Sequence, residues 1–263
     1  MTRLADYPDE VDTLAVADFH RRNPQPRLAE LVVVIAAYNE AAAIGKVLQD
    51  IPKRCCGMPV DVLVVVDGAT DGTAEIAAAH GAYTCVAPRN RGQGAALRLG
   101  YRLAADCGAR YVVTTDADGQ YDGTELETLV RPLLEDRADF VTGSRRLGRH
   151  DADNRLRWLG VRVFAALASL LTLRRITDTS FGFRAMRADL ACSVRLTEPQ
   201  YQSSELLLGM TAGGARVLEV PMTMRRRRNG ASKKGADLVY GAHYARVMVR
   251  TWCREYVLRG RRR

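Results

Sequence analysis

The chain has 263 residues, 47% of them hydrophobic, and 39 Lys+Arg against 30 Asp+Glu give a formal net charge of +9. That composition excludes a disordered polymer and leaves room for one large domain or two small ones. No apolar run approaches the roughly 20 residues of a spanning helix; the longest, Val163 to Leu173, has 11. The opening MTRLADYPDEVDTL is polar and acidic and lacks the apolar stretch of a secretory signal, so a cytoplasmic location is expected. Six scattered cysteines without C-x-x-C spacing and four isolated histidines offer neither a disulfide framework nor a zinc pattern.

Residues 1–30 read as a polar N-terminal extension, with a short helix over Val11 to Phe19. The β-branched run LVVVIAAYNE, Leu31 to Glu40, predicts a strand buried on both faces, and Ala41 to Ile51 a helix stopped by Pro52. A second buried strand, Val60 to Asp67, meets the turn GATDGT and a helix from about Thr73 to His80. A short strand, Ala82 to Ala87, leads into NRGQG, a helix over Ala95 to Cys107 and a strand over Arg110 to Asp116. A further strand, Phe140 to Arg145, is followed by helical and mixed segments. This alternation predicts an α/β fold with a mostly parallel, doubly wound sheet flanked by helices. Its ligands belong beyond the carboxyl ends of the strands, where Glu40, Asp67, Asp116 and Asp118 are expected to converge.

Asp116-Ala117-Asp118-Gly119-Gln120 directly follows a buried strand. Two carboxylates so placed suit a hard divalent cation, Mg2+ or Mn2+, that bridges to substrate phosphates; the plainer alternative is a turn that caps the next helix. The G-x-G of NRGQG lacks the full dinucleotide spacing and follows the third strand. P-loop and nucleophile-elbow motifs are missing.

Eight stretches stand in order between about Leu31 and Lys234: AAYNEAAAI, VVDGATDGTAEI, NRGQGAALRLG, TTDADGQYD, VTGSRR, DTSFGFRAMR, EVPMTMRRR and RNGASK. Together they resemble the family 2 glycosyltransferases of GT-A fold, and most closely the polyprenyl-phosphate (dolichyl-phosphate) mannosyl- and glucosyltransferases. The resemblance implies a metal-dependent, inverting transfer of a hexose from a GDP- or UDP-sugar. It implies that Ala36, Tyr38, Glu40 and Asp67 surround the nucleoside and that Asp116 with Ala117 meets the ribose or sugar side. Asp118 and Gln120 would ligate the metal on the diphosphate, and Ser232 and Lys233 would approach it from a loop. Arg145 would contact phosphate, and Asp178 and Arg184 would line the acceptor side. Three positions depart from the usual pattern: Ala36 stands where proline is common, Val66 where the first acid of a pair often reads the base, and Gln93 where lysine is usual.

The acceptor divides into two chemistries. A hydroxyl needs a general base, for which Glu205 and Asp178 are the candidates. A phosphate monoester is already anionic, with a second pKa of about 6, and needs cations: Arg145, Arg157, Arg184 and Arg227 are the expected contacts. From Arg225 to Arg263, thirteen cations face two acids, so the basicity is a property of the C-terminal part and no nucleic-acid partner is expected. The expected domain is 31–235, followed by a basic amphipathic helix over 236–263. That helix carries Trp252, Tyr244 and Tyr256 beside Arg246, Arg250 and Arg254, which suits an anionic membrane surface. A peripheral enzyme on the inner membrane face is the resulting expectation. A soluble hydroxyl acceptor, a nucleotidyltransferase and a homo-oligomer stay open.

Overall fold

The computed structural model describes residues 9–150, 155–225 and 238–258. Helix α1 (Glu10–Arg22) is capped by Asp9, whose side chain accepts from the Val11 N–H. Lying within the stretch expected to precede the core, α1 buries Val11, Ala15, Val16 and Phe19 in it. Strand β1 (Leu31–Ala37), α2 (Ala41–Asp50), the hairpin of β2 (Arg54–Cys55) and β3 (Met58–Asp67), α3 (Thr73–Ala79) and β4 (Tyr83–Ala87) follow. Next come α4 (Gln93–Asp106), β5 (Tyr111–Asp116), α5 (Leu126–Leu134), β6 (Phe140–His150) and α6 (Arg155–Thr172). The chain then runs through β7 (Arg184–Arg187), α7 (Ala188–Ser193), α8 (Gln202–Ala212) and β8 (Val217–Met224) to α9 (Leu238–Trp252), which ends in π-helical turns over Cys253–Leu258.

The strands line up as β4-β3-β1-β5-β7-β6-β8. From β4 to β5 every pairing is parallel, as the buried hydrophobic runs predict. Parallelism stops at β7, a short strand antiparallel to both β5 and β6, and resumes between β6 and β8. The doubly wound expectation therefore holds for the first half, while the second half is mixed. Strand β7, only four residues long, carries no pattern strong enough to reveal its direction.

Alternating residues of β1 serve two cores because successive side chains point to opposite faces. Val32 and Val34 join α1, α4, α8 and α9 on one face. Leu31, Val33 and Ile35 join α2 and α5 on the other. Each such side chain contributes about 1.5–3 kcal/mol when fully buried. Helix α9 places Tyr244, Val247 and Met248 in the interior; the Tyr244 ring lies 4.6 Å from Phe164 of α6 and 5.4 Å from Tyr201.

Candidate active site

The parallel half brings its polar strand ends to one edge. Ala36 of β1 pairs with Asp116 of β5, and Ala37 pairs with Val66 of β3. Two loops at that edge are stitched together: Asn39, in the left-handed region at φ 53°, accepts from the Thr70 N–H at 2.9 Å. The Glu40 N–H donates to the Thr73 hydroxyl at 2.9 Å, and the Ala41 N–H donates to Asp71 at 3.1 Å. Tyr38 is exposed and Glu40 half-buried on this rim.

Asp116 and Asp118 follow at the end of β5. Asp116 Oδ1 accepts from the Gln93 side-chain amide at 2.8 Å, and Asp118, nearly buried, accepts from the Gln120 N–H at 3.1 Å. Ala117 between them is buried. Gly182 is required here, because a Cβ on it would lie 2.9 Å from Asp116 Oδ2 and 3.1 Å from the Tyr121 hydroxyl. That hydroxyl accepts from the Gly182 N–H at 2.8 Å, and burial raises its pKa above the usual phenol value. Two carboxylates with one residue between them at a strand end, the first confined by a glycine, suit a hard cation. Gln120 is the weaker of the two expected metal ligands: its side-chain amide donates to the Arg225 carbonyl at 3.3 Å, and its own carbonyl accepts from the Arg225 N–H at 2.8 Å. Arg225 also pairs with Asp122, so the basic segment starts beside this loop.

Four expected site residues are committed to the scaffold. Asp67 is buried, its pKa raised by that burial, and Oδ2 accepts from the N–H groups of Arg91 and Gly92 at 2.7 and 2.8 Å. Through Oδ2 it holds the NRGQG loop. Arg184 is wholly buried and donates to the carbonyls of Thr179, Phe181 and Ser203; burial lowers its pKa. It cannot contact an acceptor phosphate. Glu205, also fully buried, accepts from Thr197 and the Glu198 N–H and pairs with Arg254 at 2.9 Å. It clasps the 194–200 loop to the C-terminal turns and is not placed to act as a base. Asp178 is buried against Arg145, with Oδ2 at 2.6 Å from Nε and Oδ1 at 3.2 Å from Nη2. Arg145 Nη2 also donates to the Ser180 hydroxyl at 2.6 Å. Burial opposes the Arg145 charge, and the Asp178 carboxylate more than restores it, so its pKa lies above the ordinary guanidinium value.

Ser232, Lys233 and Arg227 lie outside the described residues, as does the side chain of Arg157 on α6. Sequence reasoning missed the ion cluster behind the NRGQG loop. Arg91 lies 2.5 Å from Asp12, 3.1 Å from Asp9 and 3.6 Å from Asp67. It also missed Glu219, which accepts from the Thr177 and Asp178 N–H groups at 2.8 to 3.0 Å, and the glycine at 182. Only the motif SFGFR pointed to that glycine.

Residues 32–193 match Glycosyl transferase family 2. The chain belongs to that family. It is 37% identical over 198 residues to a dolichyl-phosphate hexose transferase of Haloferax volcanii, covering 75% of this chain and 84% of the relative. It is 30% identical over 227 residues to an undecaprenyl-phosphate mannosyltransferase of Micrococcus luteus, covering 80% and 89%. Among solved structures, glucosyl-3-phosphoglycerate synthase from Mycobacterium tuberculosis, in complex with Mn2+, UDP and glucosyl-3-phosphoglycerate, superimposes with a TM-score of 0.66. The two share 23% identity, covering 97% of this chain and 86% of that one. The fold is thus of the GT-A type and the chain a glycosyltransferase, with Asp116 and Asp118 at the edge where the family's α/β sheet ends.

Proposed function

We propose that this glycosyltransferase moves a hexose, mannose or glucose, from a GDP- or UDP-sugar to a polyprenyl phosphate, with inversion at the anomeric carbon, as a peripheral protein on the inner membrane face. The observation that carries the reading is the placement of Asp116 and Asp118 at the end of β5, with Gly182 against Asp116. A divalent ion there, Mg2+ or Mn2+, held by Asp118 and Asp116, would neutralise the leaving diphosphate. Gln93 orients Asp116 through its amide. Tyr38 and Glu40, on the rim formed by the joined loops, meet the nucleoside.

An acceptor oxygen forms the new bond to the anomeric carbon as the bond to the diphosphate breaks. The state of the two candidate bases supports a phosphate acceptor. Asp178 is ion-paired with Arg145 and Glu205 with Arg254, and a phosphate that is already anionic needs no base. Arg145, its plane fixed by Asp178 and Ser180, offers oriented donors on the acceptor side. The names of the two curated relatives agree with a lipid phosphate.

The test is a transfer assay with GDP-mannose and UDP-glucose and a short-chain polyprenyl phosphate, with Mn2+ or with chelator. The expected result is a metal-dependent glycolipid from one donor. Donor hydrolysis without lipid product would move the acceptor to a soluble hydroxyl compound. Turnover of nucleoside triphosphates instead of either donor would refute the reading.

A further inference from the structure

Helix α6 is apolar on two sides. One side, Val161, Ala165, Ala168 and Thr172, is buried against the domain. Leu173, just past the last helical residue, is 89% exposed, and the other side of the helix carries Leu159, Val163 and Leu170, which are 57%, 53% and 71% exposed. These recur at the three- and four-residue steps of a single helix face, and exposed Ala166 continues the row between Val163 and Leu170. A helix apolar all round belongs in an interior or against another apolar phase, and a continuous exposed apolar row marks a contact surface. The longest apolar run in the sequence, Val163 to Leu173, is this element. No helix among the described residues is long and apolar enough to cross a membrane, so a helix of about 27 Å lies along a surface.

The charge around the row is of one sign. Between Asn154 and Thr177 the sequence has five arginines and no acid, and Arg162, Arg174 and Arg175 are exposed. Trp252 stands at the far end of the helix, its indole N–H donating to the Leu171 carbonyl at 2.7 Å, with Tyr256 stacked on it. Exposed Leu258 follows in the same turns. By contrast, α9, the helix expected to meet the membrane, has placed Tyr244, Val247 and Met248 in the core.

We infer that the exposed face of α6, with the Trp252 end of the C-terminal turns, docks on an anionic lipid surface, the leucines entering the headgroup region and the arginines meeting lipid phosphates. The position of α6 relative to the site gives this docking a purpose, which rests on the lipid-phosphate reading above. The chain continues along β6 past Arg145 to His150, beside Thr223 and Met224 of β8, and comes back to Arg145 at Thr177 and Asp178. The base of the excursion is closed by the Arg145–Asp178 ion pair and by a 2.6 Å hydrogen bond between Ser144 and Thr177. The Arg145–Asp178 pair thus ties the root of the α6 segment to the side of the crevice proposed to take the lipid phosphate.

The experiment is co-sedimentation of the full chain with vesicles of phosphatidylcholine alone and of phosphatidylcholine mixed with phosphatidylglycerol, with no substrate present. This makes its outcome separate from that of the transfer assay. Wild type is expected to bind the anionic vesicles, and Leu159→Gln/Leu170→Gln to bind at least about tenfold more weakly, with thermal unfolding unchanged because both side chains are exposed. Val239→Gln, an exposed position on α9, is the control expected to bind like wild type. Three outcomes would overturn the inference: no binding by wild type, equal binding by the α6 variant, or a solution dimer that the α6 variant dissociates, since the row would then be a self-association face. Should the α6 variant unfold, Arg174→Gln/Arg175→Gln replaces it, with the same loss of anionic-vesicle binding expected and retained binding counting against the inference.

Discussion

Asp116 and Asp118 have different surroundings although only one residue separates them. Asp116 is oriented by Gln93 and confined by Gly182, whereas Asp118 is the stronger candidate for direct metal ligation. Gly182→Ala would put a methyl group 2.9 Å from Asp116 Oδ2, too close for the carboxylate to stay in place, and a misplacement of about 1 Å in an active site costs about a hundredfold. The expected result is a drop in kcat of that order with the circular dichroism spectrum unchanged. Asp118→Asn is expected to lower transfer by at least about a hundredfold and to raise the Mn2+ concentration needed for half activity, because an amide is a poorer ligand for a hard cation. Transfer by this variant at the wild-type rate under chelation would remove Asp118 from the metal site. At this scale the D-A-D-G-Q motif was legible because its carboxylates follow a recognisable buried strand. The roles of Asp67, Arg184 and Glu205 were not, because a sequence shows a charge but not whether neighbouring backbone groups already hold it.

Among the elements, α1 was legible as a short helix but not as part of the core. Residues 1–30 read as a polar extension, yet four apolar side chains at helical spacing join the core, and Asp12 reaches Arg91 of the NRGQG loop. Arg91 is 10% exposed and Asp12 1%, at 2.5 Å from each other. The backbone N–H groups of Arg91 and Gly92 are the ones Asp67 holds. Removing one partner of a buried pair leaves the other charge uncompensated. Asp12→Asn should therefore destabilise the fold by about 3–5 kcal/mol in chemical denaturation and raise the donor KM more than it lowers kcat. An unchanged donor KM would mean that α1 only stabilises the fold. The buried strands, in contrast, were readable almost to the residue. Continuous β-branched runs ending in polar turns have one easy solution, a strand covered on both faces.

For the whole molecule, the mixed half is secured at its far edge by charge. Arg216 bridges Asp139 and Asp136, pinning the start of β6 to β8. Hydrogen bonds from Arg216 hold the Asp139 carboxyl below its ordinary pKa. A depressed carboxylate contributes stability that is complete above the unfolded value, about 3.9, and is lost as pH falls through the folded one. Asp139→Asn is thus expected to lower Tm by about 2 °C near neutrality, with the two proteins converging as pH falls through the depressed Asp139 pKa. A constant gap through that range would assign the effect to packing. The reversal at β7 could not be foreseen from four residues, nor could the burial of one side of α9, whose amphipathic pattern fits a membrane surface and a protein surface equally well.

The closed base of the α6 excursion bears on how such enzymes diversify. Because Ser144–Thr177 and Arg145–Asp178 fix both roots of the segment, and β6 stays paired with β8 as far as His150, the exposed side of α6 can change its surface chemistry while the sheet edge beside the crevice keeps its form. On the lipid-phosphate reading, exchanging those exposed residues between relatives would change the surface at which the enzyme works while leaving nucleotide preference behind.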